Sequence, residues 1–259
     1  MQVRQIDFSS TTLTCYAGFY AKIVDNVFTP AECAELIELA ASQSEGWKPA
    51  GLSAEKDHQT VHSDFRNSDR ALVFNERLAK TIFDRLKPAV EEELGLIEPR
   101  GRWGGITGKI GRKQGSIWQL DSVNSRLSFL RYGPGHYFKP HCDGLNELEN
   151  GALKSFVTLH LYLNDSTTIH TSGSEDVGEV SNYDSASISA GYSADNGNTL
   201  AGGATRFWSP DKKHFLDVEP KVGRVLIFQQ RMLVHSGEQV TKGIKYTMRS
   251  DFMFRENAV

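Results

Sequence analysis

From about residue 124 onward the apolar residues recur at every second position, and this switch of period constrains the fold more than any other feature. The segments are RLSFLRY (126–132), SFVTLHLYL (155–163), ATRFW (204–208), HFLDV (214–218), RVLIFQQ (224–230) and KYTMRSDFMF (245–254). Gly, Pro, Asn and Asp separate them. A period of two sends alternate side chains to opposite faces, and many short strands joined by turns bury their apolar faces as an antiparallel sandwich or barrel. Upstream, residues 20–28 read as a short strand, and Thr29-Pro30-Ala31-Glu32 has capping-box spacing with proline at the first helical position. The helix that starts there keeps Cys33, Leu36, Ile37 and Ala40 on one face, with Gly46 as a stop. A second helix is expected from about Asn75 to Leu86, with Leu78, Ile82, Phe83 and Leu86 as its stripe and Pro88 interrupting it. Residues 98–117 read as loop. Residues 165–201 are so rich in Ser, Thr, Gly, Asn and Asp that they read as a long polar loop, either a lid over a site or disorder.

These elements make one domain over residues 1–259, mainly β with N-terminal helices (α+β). Helical support covers about 20–95 and the strand core about 124–255. At 259 residues the chain can bury a core without disulfides or metals as staples. Lys and Arg total 29 against 32 Asp and Glu, a formal net charge of -3, so no basic excess is there to neutralise a phosphate backbone, and nucleic acid is not an expected partner. No apolar run approaches the roughly 18 residues of a membrane span. The start, MQVRQIDFSS, lacks signal-peptide character, and the three cysteines (Cys15, Cys33, Cys142) are too few and scattered for a disulfide framework. A cytoplasmic or nuclear location is the expectation.

The chemistry concentrates in Tyr132-Gly-Pro-Gly-His-Tyr137-Phe-Lys-Pro140-His141-Cys-Asp143. On a strand His141 and Asp143 project from one face, with Cys142 on the other. His235, at the end of another apolar strand, supplies a second imidazole, and two His with one carboxylate form a facial triad that leaves three positions open on a ferrous ion. Ten residues later Lys245 heads the strand KYTMRSDFMF, where a buried ammonium needs an anion. Its rival reading is a solvated strand residue. Arg249 lies on the same face as Lys245, and its own rival reading is a surface ion pair with Asp251 or Glu256. A second His-x-Asp, His62-Ser63-Asp64, lacks the flanking Gly and Tyr pattern. Trp103, Trp118 and Trp208 read as core or as the lining of a substrate pocket.

These residues, in this order, resemble the iron(II)/2-oxoglutarate (2OG) dioxygenases of the prolyl 4-hydroxylase-like branch. Besides the Tyr132 to Asp143 run, the resemblance rests on Gly202-Gly203-Ala-Thr205-x-Phe207 and Gly223-Arg-Val-Leu-Ile-Phe228. It continues in His235-x-Gly237-x-x-Val240-x-x-Gly243-x-Lys245 and in the opening IVDNVFTPAEC. It implies a double-stranded β-helix (jelly roll) core, with His141, Asp143 and His235 binding Fe(II) and Lys245 pairing with the distal carboxylate of 2OG. It further implies that Tyr132 hydrogen-bonds that carboxylate, that Arg249 replaces or assists Lys245, and that O2 is consumed, with ascorbate as a reductant. Two stretches depart from the family: the 165–201 loop is longer than usual, and 100–118 looks inserted. Both bear on the substrate, which is expected to be a prolyl residue in a peptide or protein, or a small metabolite or amino acid. A zinc hydrolase or a non-catalytic ligand-binding jelly roll is the alternative.

Overall fold

The computed structural model describes residues 1–43, 45–55, 58–60, 62–108, 115–166 and 199–257. The polar loop falls mostly on 167–198, so its reading as a lid lies outside the described residues.

Two antiparallel sheets face each other. The larger sheet runs Gln2–Gln5, Ala21–Asp25, Val225–Gln229, Leu153–Tyr162, Lys245–Asn257, Arg126–Tyr132, Asp69–Phe74 and Lys48–Pro49, with Ile117–Val123 also paired to the Lys245–Asn257 strand. The smaller runs Phe215–Val218, Thr205–Trp208, His235–Gly237, Tyr137–His141 and Arg66–Asn67. No strand pairing among the described residues closes the two into a barrel; the architecture is a jelly-roll sandwich. Alternation along each strand of the larger sheet divides its faces. Leu127, Phe129, Leu159, Leu161 and Met248 join the core shared with the helices. Tyr132, Thr158, Tyr162 and Lys245 make their contacts on the other face, toward the smaller sheet.

The helices cover the outer face. The first, α1 (Pro30–Ala41), starts with the expected reciprocal cap: Thr29 Oγ1 accepts from the Glu32 N–H, and Glu32 accepts from the Thr29 N–H. The second, α2 (Glu76–Leu94), begins one residue after its Asn75 cap but runs past the expected stop, with Pro88 inside it. Pro88 is exposed, so the carbonyl it cannot pair lies on the solvent face, while Val90 and Leu94 continue the buried stripe beyond it. Several strands were not expected, among them Gln2–Gln5, Asp69–Phe74 and, most instructive, Ile117–Val123. A register shift between Met253 and Phe254 breaks its alternation, so Trp118, Leu120 and Val123 are all buried at uneven spacing. Trp103 and Trp118 are buried in the core shared with the helices.

Candidate metal and cosubstrate site

In the smaller sheet His141 stands directly opposite His235 across neighbouring strands. The two rings are 4.4 Å apart. The strand ends at His141 instead of continuing through Asp143, yet the Asp143 carboxylate still turns inward, where Thr158 Oγ1 donates to its Oδ2 at 2.7 Å. His141 Nε2 lies 3.8 Å from Asp143 Oδ1, and His235 Nε2 lies 3.7 Å from Oδ2. One ligand atom from each residue falls within 4.8 Å of the others, the one such group among the described residues. His62 and Asp64 are both exposed and do not join it.

Both imidazoles are oriented by backbone. His141 Nδ1 faces the Lys139 carbonyl at 2.8 Å and His235 Nδ1 faces the Leu233 carbonyl at 3.1 Å. A carbonyl accepts only, so each Nδ1 carries the proton and each Nε2 lone pair points at the gap. Phe138 stacks on His141 at 3.7 Å, and Phe228 meets the His235 ring edge-on at 4.7 Å. Burial pushes His141 down to about 3, with His235 adding to the effect and Asp143 opposing it. His235 is lowered for the same leading reason. Burial alone would raise the Asp143 carboxyl, but Arg249 and the two histidines hold it well below the usual range. Two neutral imidazoles and one carboxylate therefore face one point, a donor set a ferrous ion accepts.

Lys245 lies on the concave face of the larger sheet, directly opposite Tyr132. It is buried, donates to the Gly203 carbonyl, and sits 5.3 Å from the Tyr132 ring and 5.6 Å from that of Tyr162. Burial lowers the ammonium to about 8, against the pull of Glu219 and Glu238. The glycine pair of the GGAT turn permits this approach. Gly203 has φ +77°, and a Cβ there would come within 3.0 Å of Lys245 Cδ.

Arg249 is placed differently from either expectation. Its Nη2 lies 3.2 Å from Asp143 Oδ1 and 3.2 Å from Asp251 Oδ1, so it pairs with Asp251 as one reading held, but inside the sandwich and not at the surface. Glu256 instead receives Ser116. Asp251 is buried and also accepts from Asn146 at 2.6 Å and Gln230 at 2.7 Å.

Among the described residues, three polar atoms on this concave face are buried without partners: Arg249 Nε, His160 Nε2 and Thr247 Oγ1. His160 stands opposite Arg249 in register, and Thr247 lies between Arg249 and Lys245 on their strand. Buried polar groups are normally satisfied, so a row of orphans from the triad to a buried ammonium fits an oxygen-rich acid lying along it. The sequence reading missed Thr158, His160 and Thr247. Their signal was present, because alternation in SFVTLHLYL places Thr158 and His160 opposite the apolar Val157, Leu159 and Leu161.

Comparison with known proteins agrees. The model of the 2OG-Fe(II) oxygenase superfamily matches residues 127–250. No curated protein matches the chain. Among solved structures, a prolyl-4-hydroxylase from Pseudomonas putida aligns at 15% identity over 95% of this chain and 95% of its own, with a TM-score of 0.54. A prolyl hydroxylase from Trichoplax adhaerens, solved with a hypoxia inducible factor peptide fragment, aligns at 14% identity over 90% of this chain and 82% of its own, with a TM-score of 0.51. At such identities the structures speak for the jelly-roll fold alone. The sequence match adds a likeness to the 2OG-Fe(II) oxygenase superfamily over residues 127–250, just under half of the chain.

Proposed function

We propose that this chain is a 2OG-dependent dioxygenase that hydroxylates an unactivated C–H bond, converting 2OG and O2 to succinate and CO2. His141, Asp143 and His235 hold Fe(II), and Lys245 with Tyr132 receives the distal carboxylate of 2OG. The observation that carries this reading is the row of orphaned buried atoms joining the triad to Lys245. A zinc hydrolase on the same triad has no use for a buried ammonium at the far end of such a row.

The iron, when bound, supplies the centre at which 2OG and O2 react. The chain's own residues do the rest. The Lys139 and Leu233 carbonyls fix both imidazoles, Thr158 orients the Asp143 carboxylate, and Lys245 sets the direction in which a dicarboxylate lies. Phe138 and Phe228 shield the triad from water on two sides. For the substrate we propose a prolyl residue of a peptide, or else a small amino acid; the names of the structural neighbours support the first.

The test supplies the protein with Fe(II), 2OG and ascorbate, and follows succinate formation against proline peptides and free amino acids. A product heavier by one oxygen atom is the expected result. Ester hydrolysis by the zinc-loaded protein, with no succinate formed under iron, would replace this reading with the hydrolase.

A further inference from the structure

We infer that Arg249, with His160 opposite it, is a second anchor for the 2-oxo acid, serving its metal-proximal C1 carboxylate while Lys245 serves the distal one. The inference rests on the cosubstrate reading above and divides that site into two ends.

Position comes first. Arg249 and Lys245 are four residues apart on one strand, about 13 Å between Cα atoms at about 3.3 Å per residue. The Arg249 guanidinium is directed to the metal end, because its Nη2 contacts Asp143 and Asp251. It therefore cannot share the distal carboxylate with Lys245, whose ammonium is bound to the Gly203 carbonyl at the other end of the row. A five-carbon dicarboxylate that reaches Lys245 from the triad presents its C1 carboxylate where Arg249 is.

Unused hydrogen-bonding capacity comes next. Asp143, Asp251 and Thr158 all crowd around the single nitrogen Nη2, while Nε is buried and orphaned. A guanidinium carries its donors in a fixed fork suited to a carboxylate. Directly across the ladder His160 presents its own orphaned Nε2. Thr247 Oγ1, the third orphan, lies two residues toward Lys245, where the middle of the ligand passes. Offsetting Asp143 and Asp251 engages Nη2 alone and leaves Nε and His160 Nε2 still without partners.

The experiment uses the full chain loaded with Mn(II) in place of iron, without oxygen. It titrates two acids by calorimetry: 2OG, and 2-oxopentanoate, which keeps the 2-oxo acid end and lacks the distal carboxylate. Lys245→Met should weaken 2OG and leave 2-oxopentanoate within twofold of wild type. Arg249→Met should weaken both acids by the same factor, roughly ten- to a hundredfold for a lost charge-assisted hydrogen bond. His160→Phe should weaken both to a smaller extent.

Loss of 2OG affinity alone in Arg249→Met would make Arg249 a distal cation and overturn the inference. So would unchanged affinity for both acids at saturating Mn(II), even with weaker Mn(II) binding, because that outcome confines Arg249 to holding Asp143. Arg249→Lys, which keeps the charge and loses the fork, repeats the comparison if Arg249→Met does not fold, with an equal but smaller loss on both acids expected. Failure of wild type to bind 2OG would overturn the cosubstrate reading itself, and is told apart by needing no variant.

Discussion

Two side chains at the site carry measurable consequences. Thr158 donates one hydrogen bond to Asp143 and accepts a longer one, 3.4 Å, from Arg249 Nη2. Removing an outer partner of a metal ligand typically costs ten- to a hundredfold in affinity. Thr158→Val, which keeps the shape, should therefore weaken Mn(II) binding about tenfold, read by electron paramagnetic resonance of free Mn(II). Lys245 is held down to about 8 by burial, so its charge is present below that pH and lost above it. Affinity for 2OG should fall as pH rises through about 8. Lys245→Met should be weak throughout and show no such slope. At this scale the sequence was informative for groups at fixed spacing, and less so for Arg249, whose partners Asp143 and Asp251 come from two separate segments.

At the scale of elements, α2 offers a test independent of the site. Pro88 sits in its exposed middle and cannot donate to the turn before it. Alanine there restores the donor and removes the ring, against some loss of unfolded-state restriction. Pro88→Ala should raise stability by about 1–3 kcal/mol, seen as a higher Tm. An unchanged or lower Tm would mean that the ring packs usefully where the structure shows it exposed. The helix start was legible because a cap is local: Thr29 and Glu32 need only each other. The helix end was not, because the buried stripe through Val90 and Leu94 outweighs one missing hydrogen bond. The Ile117–Val123 strand was hidden for a similar reason, since its bulge is set by the partner strand.

For the whole molecule, the metal-free state should be acid-sensitive before its carboxylates titrate. His141 is held at about 3 in the fold and returns to about 6.5 when unfolded. Its folded value lies below its unfolded one, so no stability is lost above pH 6.5. Below that the unfolded chain takes up a proton that the folded chain refuses, a cost of about 2 kcal/mol by pH 5. His235 shifts in the same direction. Urea midpoints should fall from pH 7 to pH 5, and His141→Gln should flatten that fall. Equal pH slopes in the two proteins would show that His141 is not held neutral by the fold.

The sequence by itself determined the strand-rich class, the first helix with its cap, and the triad His141, Asp143 and His235. Periodicity and caps act over a few residues, and an ordered series of motifs carries its spacing with it. Only the tertiary structure decided that the sheets stay open as a sandwich, that α2 continues through Pro88, and that Arg249 turns toward Asp143 and away from Lys245. It also produced the row of orphaned atoms on Arg249, His160 and Thr247, drawn from strands nearly ninety residues apart in the chain. Each of these depends on which strand lies beside which, and on the burial that follows. Pairing between distant segments is fixed by packing of the whole, which no local pattern encodes.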